Sequence, residues 1–461
     1  MYTHALRETH PGIAICPPLP RASPHGQSAH RDAPPQGFLM AQTERAEALS
    51  RLRELALAQH RKSLRTGHDP HYGRRFEYVR PSPGRYNWMW FWDSCFHIVS
   101  LSCVDTRAAK AELDTMLASQ DEHGFIGHLV YWGRFGSLYS ALFTQSRPLR
   151  WRARHSHMIQ PAFLAQALER LHVATGDLGY LKEVLPRVTA YYDWLDRARS
   201  YGQQGLLAAV SPFESGLDNS PAYDAPMGIR KASRTGWLVR LKLLDARNSY
   251  CGGRPGLPGL PANPAYLVHD LLVNYAFADG LRTLARLRTL VGDAAGARKS
   301  ETRAESIEAG VRAQCWNEKA GLFYHVDALT GRQLEVSTIA SLLPALFPST
   351  PDDIRGRVIG DHLRNPEEYW LDFPLPTVAR SEAAFDPSSE SMIWRGPVAM
   401  PMNWVMVRGL RQVGFADEAA HIAERSMAMA TGSGFREFYD PLSGRGLRGT
   451  NFGWATTVVD L

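Results

Sequence analysis

From Ala41 the chain reads AQTERAEALSRLRELALAQHRKSLR, where Leu49, Leu52, Leu55 and Leu57 recur among charged residues in the pattern of an amphipathic helix. Similar runs predict helices over TRAAKAELDTMLASQ, from His157 to Ala174, Tyr180 to Arg199, Pro264 to Val291 and Ala294 to Trp316. Further ones run from Thr338 to Leu346, Asp352 to Leu363, Pro401 to Val413 and Ala416 to Ala430, and a last one begins near Trp454. Strand-type alternation is rare, and GLFYHVD carries it best. The helices come in pairs joined by turns, about a dozen in total, which predicts an all-α toroid with an inner ring around a funnel and an outer ring around that. Two long stretches, 130–152 and 236–263, read as irregular loops over the mouth of the funnel.

Residues 1–39 break this regularity. They hold seven prolines and no apolar period, and read as a disordered N-terminal extension to a single catalytic domain spanning 40–461. The net charge of +6 is concentrated near the start: 13 of the 52 Lys/Arg and 7 of the 46 Asp/Glu fall in residues 1–86, leaving the main body neutral. A neutral body argues against nucleic acid as a partner. No run is long and apolar enough for a membrane span, and no apolar stretch after a basic start marks a secretory signal. Five scattered cysteines without a CxxC pair fit reduced thiols and a cytoplasmic setting, with Cys95 and Cys103 as core residues.

The candidate chemistry lies in the joints between helices. SPFESGLDNSPAYD, from Ser211 to Asp224, carries Glu214, Asp218 and Asp224 on a stretch that Pro212, Gly216 and Pro221 keep from being a helix. Trp88, Trp90, Trp92, Trp394, Trp404 and Trp454 gather in other joints, beside Asp, Asn and Gln. Aromatic rings with such neighbours suit a sugar, whose pyranose ring has apolar C–H faces and a rim of hydroxyls. Cleaving a glycosidic bond needs a proton donor on one side and a base or nucleophile on the other. The loop offers the donor, and FREFYDP offers Glu437 between aromatics.

Seven motifs in order, WFWDS ending at Ser94, QDEHGF (120–125), HMIQP (157–161), ESGLDNSP (214–221), WRGPVAMPMNW (394–404), FREFYDP (435–441) and NFGWATTVVDL (451–461), resemble the bacterial branch of glycoside hydrolase family 63. The pattern is most similar to that of small glucosylglycerate and mannosylglycerate hydrolases, within a clan that includes trehalases and glucoamylases. The resemblance implies an (α/α)6 barrel and hydrolysis of an α-glycosidic bond with inversion. It places the general acid on Asp218 and the general base on Glu437. It also implies that Trp90, Trp92, Asp93, Gln120, Gln160, Asn219, Trp394, Arg395, Gly396 and Trp454 hold the sugar, with no cofactor and no metal. Glu214 and Asp224, with Asn219, are then expected to brace the turn or touch hydroxyls, and Arg395 to pair with a carboxylate in the resting site. Ala399 and Met400 depart from the family's usual aromatic and proline, a change that would widen the pocket or alter its acceptor side; IGHL after the DEHGF joint departs from the expected I-P-H, and both changes bear on the exact substrate.

The expected substrate is a small soluble glycoside of the glucosylglycerate or mannosylglycerate type, or a gluco-disaccharide. The alternatives are a trehalase or oligosaccharide α-glucosidase, or a non-catalytic sugar-binding toroid, which retention of both acids argues against. A sugar epimerase would need histidine pairs, and His128, His155 and His157, the nearest to such a cluster, read as structural. An anionic aglycone would call on rim cations, for which Arg134, Arg147, Arg150, Arg152 and Arg436 are available.

Overall fold

The computed structural model describes residues 42–134, 154–230, 233–250, 259–261 and 263–461. The leader 1–39, most of the loop 130–152, and Cys16 and Cys251 lie outside the described residues.

The helices are α1 (Gln42–Ser63), α2 (Phe91–Val104), α3 (Thr106–Ala118), α4 (Leu164–Thr175), α5 (Leu178–Arg199), α6 (Arg234–Tyr250), α7 (Leu271–Leu290) and α8 (Ala294–Cys315). A 3₁₀ segment Ile339–Leu346 follows, then α9 (Asp352–Arg357) running on as a π turn Val358–Leu363. After α10 (Met400–Gln412) and α11 (Ala416–Ser433) comes a final 3₁₀ segment, Gly453–Asp460. Several helices start on the same device: Asp105, Asp177, Asp270 and Asp293 accept the first free backbone N–H groups of α3, α5, α7 and α8 at 2.9–3.0 Å. Each such cap is worth about 1 kcal/mol.

Inner and outer elements differ in burial. All of Ile339–Leu346 and nearly all of α2 and α10 are buried, whereas α1 and α8 keep exposed, charged faces. The buried elements touch in a closed order: α2 meets α4, α4 meets α7, and α7 meets Ile339–Leu346. That segment meets α10, α10 meets Gly453–Asp460, and Gly453–Asp460 returns to α2. Each has an outer partner next to it in sequence, except that Gly453–Asp460 packs against α1 from the other end of the chain. That junction is sealed by a buried polar triad, in which His60 Nε2 lies 2.8 Å from Ser100 Oγ and 3.0 Å from Thr456 Oγ1.

Short strands collect at the helix ends. A five-stranded antiparallel sheet runs Arg332–Leu334, His325–Asp327, Val268–His269, Leu206–Ala209, Ser200–Tyr201, and so contains the HVD end of the GLFYHVD stretch, whose Leu322–Phe323 pairs instead with Trp316–Asn317. Its strand Leu206–Ala209 leads straight into SPFESGLDNSPAYD. Hairpins Leu64–Asp69/Arg74–Val79 and Arg436–Tyr439/Gly446–Thr450 complete that end.

Residues 236–250 correct the expectation of a loop, since they form most of α6. The stretch WLVRLKLLDAR has no breaker and is rich in good helix formers, and Trp237, Leu241 and Leu244 recur on one buried face. Apart from Gly236 in the first turn of α6, the glycines and prolines of the stretch begin only at 252. Two helices start later than the periodicity predicts: at Leu164, after Pro161 favours extended backbone at Gln160, and at Leu271, because Val268–His269 pairs as a strand and Asp270 caps the helix. Cys95, Cys103 and Cys315 are buried, and none forms a disulfide. Among the described residues no helix is long and apolar enough to cross a membrane.

Candidate active site

The loop Ser211–Asp224 is built around its first carboxylate. Glu214, wholly buried, receives Arg199 Nη1 and Nη2 at 2.7 and 2.6 Å, Val210 N at 2.8 Å and Ile159 N at 3.1 Å. A buried carboxylate is tolerated only when its charge is matched and its lone pairs filled, and Glu214 meets both conditions. Ser211 and Ser220 cap two short 3₁₀ turns that begin with Pro212 and Pro221. Gly216 sits at φ 76°, and a Cβ there would stand 2.6 Å from the ring of Trp92, so glycine alone lets the loop press on that indole. Asn219 Oδ1 accepts from Trp394 N at 3.0 Å, and Asp224 takes Arg395 Nη2 at 2.6 Å. Asp218 is the exception. Among the described residues no other side chain hydrogen-bonds to it, and it keeps partial access to solvent.

Glu437 comes from the hairpin at the other end of the chain. Tyr86 Oη donates to its Oε1 at 3.1 Å and Gly449 N to its Oε2 at 3.2 Å, while Trp454 Nε1 donates to its backbone carbonyl at 3.0 Å. Two cations converge on Oε2: Arg448 Nε at 3.3 Å and Arg85 Nη1 at 3.8 Å. Arg448 and Asn451 flank Gly449 and its neighbour with φ of 57° and 54°, a left-handed backbone that side chains adopt at some cost and that recurs at functional sites.

The electrostatics bring a third acid into the same space. Burial pushes Asp218 up to about 8, with Arg448 pulling down and the charge of Glu437 pushing further up. Burial also raises Asp93 well above the usual carboxylate range, and the charges of Glu437 and then Asp218 add to it. Asp218, Glu437 and Asp93 therefore sense one another.

Around them stands an aromatic wall. Trp92, Trp394 and Trp454 lie 5.6–6.1 Å apart by ring centroids, and Phe438 packs edge-on against Trp394 at 4.9 Å and Trp454 at 5.8 Å. Trp90 stands edge-on to Tyr86 and His128. Gln160 Oε1 accepts from Trp92 N at 3.1 Å and so sets the first turn of α2. Gly396, at φ 154°, abuts the backbone of Asp386 and donates its N–H to Thr377 Oγ1 at 3.0 Å.

Of the residues expected to hold the sugar, Gln120 is engaged elsewhere. Its Nε2 donates to the carbonyls of Gly124 and Arg187 at 3.0 and 2.8 Å, tying the 120–124 turn to α5. His128 and His155 bond to Ser156, one through its hydroxyl and the other through its carbonyl, consistent with structural roles. Ala399 and Met400 are fully buried at the start of α10. Arg147, Arg150 and Arg152 lie outside the described residues, and Arg436 Nη2 donates to the Arg448 carbonyl at 3.1 Å. Among the described residues no group of three or more His, Cys, Asp or Glu is arranged to hold a metal ion. Sequence reasoning missed Tyr86, Arg85 and Arg448. Tyr86 lies four residues before the WFWDS motif and was within reach of it; the role of Arg448 rests on a hairpin geometry that no motif signals.

Comparison with known proteins gives a consistent result. The family model described as "Mannosylglycerate hydrolase MGH1-like glycoside hydrolase domain" matches residues 86–455. A mannosylglycerate hydrolase of Thermus thermophilus is 28% identical over 421 residues, covering 84% of this chain and 96% of that protein. A glucosylglycerate hydrolase of Mycolicibacterium hassiacum is 23% identical over 427 residues, covering 82% and 92%. Among solved structures, the GH63 mannosylglycerate hydrolase from Thermus thermophilus in complex with Tris and D-glycerate superposes with a TM-score of 0.73 at 26% identity, over 89% of this chain and 99% of that one. The chain belongs to the mannosylglycerate hydrolase MGH1-like family and is a glycoside hydrolase.

Proposed function

We propose that this hydrolase cleaves the α-glycosidic bond of a small glycerate glycoside, mannosylglycerate or glucosylglycerate, with inversion at the anomeric carbon. Asp218 is the general acid and Glu437 the general base. The observation that carries this reading is the division of labour in the acid loop: Glu214 and Asp224 are spent on Arg199 and Arg395, while burial holds Asp218 up to about 8, with the charge of Glu437 adding to the push. A carboxyl in that state still carries its proton at neutral pH and can give it to the leaving glycosidic oxygen. Glu437, held at both oxygens by Tyr86 and Gly449, takes a proton from the water that attacks the opposite face of the sugar.

Trp92, Trp394 and Trp454 are the faces on which the pyranose rests, with Trp90 beside them. Asp93 is the acid that meets its hydroxyls. Asn219, Gln160, Arg395 and Gly396 hold these groups in place. The closed order of inner and outer helices is that of an (α/α)6 barrel, and residues 40–461 act as one catalytic domain. We place the reaction in the cytoplasm, where buried thiols outside any disulfide, such as Cys95 and Cys315, persist reduced.

Arg85 and Arg448 favour an anionic aglycone over a neutral disaccharide, because they set a positive potential at the carboxylate pair that attracts a glycerate carboxylate. Steady-state kinetics on mannosylglycerate, glucosylglycerate, trehalose and maltose test this. A glycerate glycoside is expected to be the best substrate, with kcat/KM falling as salt rises. Arg85→Gln, at a half-exposed side chain, should raise its KM about fivefold with little change in kcat. Preference for trehalose or maltose, with no effect of salt, would refute the assignment.

A further inference from the structure

Behind the sugar-facing side of α2 lies a buried acid that the mechanism above does not use. Glu112, on α3, is 1% exposed. Its Oε1 accepts from Ser94 Oγ at 2.5 Å and its Oε2 from Val79 N at 2.6 Å. His97 Nδ1 lies 3.6 Å from Oε1, and neither nitrogen of that wholly buried ring has a hydrogen-bond partner among the described residues. The other edge of the ring rests on Gly453, where an added Cβ would come within 2.2 Å of Nε2.

These contacts join the chain segments that present the candidate site. Ser94 follows Trp92 and Asp93 in the first turn of α2. Val79 ends the strand that leads to Arg85 and Tyr86. Gly453 opens the segment that carries Trp454.

We propose that Glu112 is a positioning residue for the hydrolysis, working as a neutral carboxylic acid whose oxygens accept from Ser94 and Val79 while its Oε1 edge lies against the His97 ring. In that form no charge is buried behind the sugar pocket, and one side chain sets the register of Trp92, Asp93, Tyr86 and Trp454 relative to one another. An ionised Glu112 would place another negative charge beside Asp93. The groups facing this acid agree with the neutral state. Burial pushes Glu112 up to about 8, outweighing the bonds from Ser94 and Val79, and the charge of Glu77 adds to the push. Burial holds His97 down at about 3, and lowers His60 with help from His97. Cys95 and Asp93, on the same turn of α2, are both raised by burial first.

Glu112→Gln tests the neutral form, because an amide places its N–H₂ toward Ser94, whose hydroxyl can turn to accept, and toward the His97 ring, and its carbonyl toward Val79. Glu112→Leu removes the contacts to Ser94 and Val79. On the glycerate substrate, Glu112→Gln should keep kcat/KM within about twofold of the wild type, while Glu112→Leu should lose about tenfold to a hundredfold. The second readout needs no substrate and so stands apart from the proposed function. An acid whose folded value is raised loses stability as pH rises from its ordinary value through the raised one. The wild-type Tm should therefore fall relative to that of Glu112→Gln between pH 6 and 9, by about 5 °C. Should Glu112→Leu fail to fold, Glu112→Gln and its Tm series decide alone. A Glu112→Gln enzyme that is strongly impaired, a Tm gap that does not widen with pH, or a Glu112→Leu enzyme of normal kcat/KM would each overturn the proposal.

Discussion

Asp218→Asn is expected to lower kcat on a glycerate glycoside by about a hundredfold to ten-thousandfold, the loss that follows removal of a general acid. The leaving oxygen then departs as an alkoxide, and nothing else in the acid loop can replace the proton. Glu214 is locked to Arg199, and Asp224 to Arg395. The loss should shrink sharply on an α-glycosyl fluoride, whose leaving group needs little protonation. Stability moves in the opposite direction. Asp218 is raised from an ordinary 3.8 to about 8, so the wild type loses stability as pH climbs through that window, and the asparagine variant does not. Melting curves at pH 5 and pH 9, with kinetics on both substrates, check the whole pattern. A variant with near-normal turnover of the natural glycoside would remove Asp218 from the role.

Glu437→Gln should cost a similar factor, about a hundredfold or more, with a different signature. Here the water loses its base, so a better leaving group does not help and the α-glycosyl fluoride is hydrolysed as poorly as the glycoside. The amide can still accept from Tyr86 and keep the hairpin in place, but it no longer answers the charges of Arg448 and Arg85. Glu437→Ala leaves room for a small anion, and azide should then give a β-glycosyl azide, the product of attack from the base's side. Restoration of Glu437→Gln by the fluoride would assign the proton donor to Glu437 and reverse the two roles.

The contrast between these two acids shows how far the sequence was legible. They lie 219 positions apart, yet each sits in a motif whose Pro, Gly and aromatic neighbours mark a fixed loop rather than a solvated helix face. The helices were legible for the same local reasons, since the apolar period and an aspartate at each of several starts are properties of short segments. Long-range partners were not. Gln120 lies in a motif with the right chemistry, but its amide is consumed by Gly124 and Arg187, and the latter contact depends on where α5 lies. Arg448 reaches Glu437 only because the hairpin holds it in a left-handed conformation, which its residue type gives no reason to expect. Residues 236–250 were misread because the glycines and prolines beyond them outweighed a stretch whose one breaker, Gly236, falls in the first turn of the helix.

The central claim is inversion by Asp218 and Glu437 at an α-glycosidic bond, and proton NMR of the anomeric region tests it most directly. With purified enzyme and mannosylglycerate or glucosylglycerate, the β-anomer of the free sugar should appear first and the α-anomer only later, by mutarotation. If the α-anomer appears first, the sugar has passed through a covalent intermediate, and the assignment of Glu437 as a base acting on water is wrong.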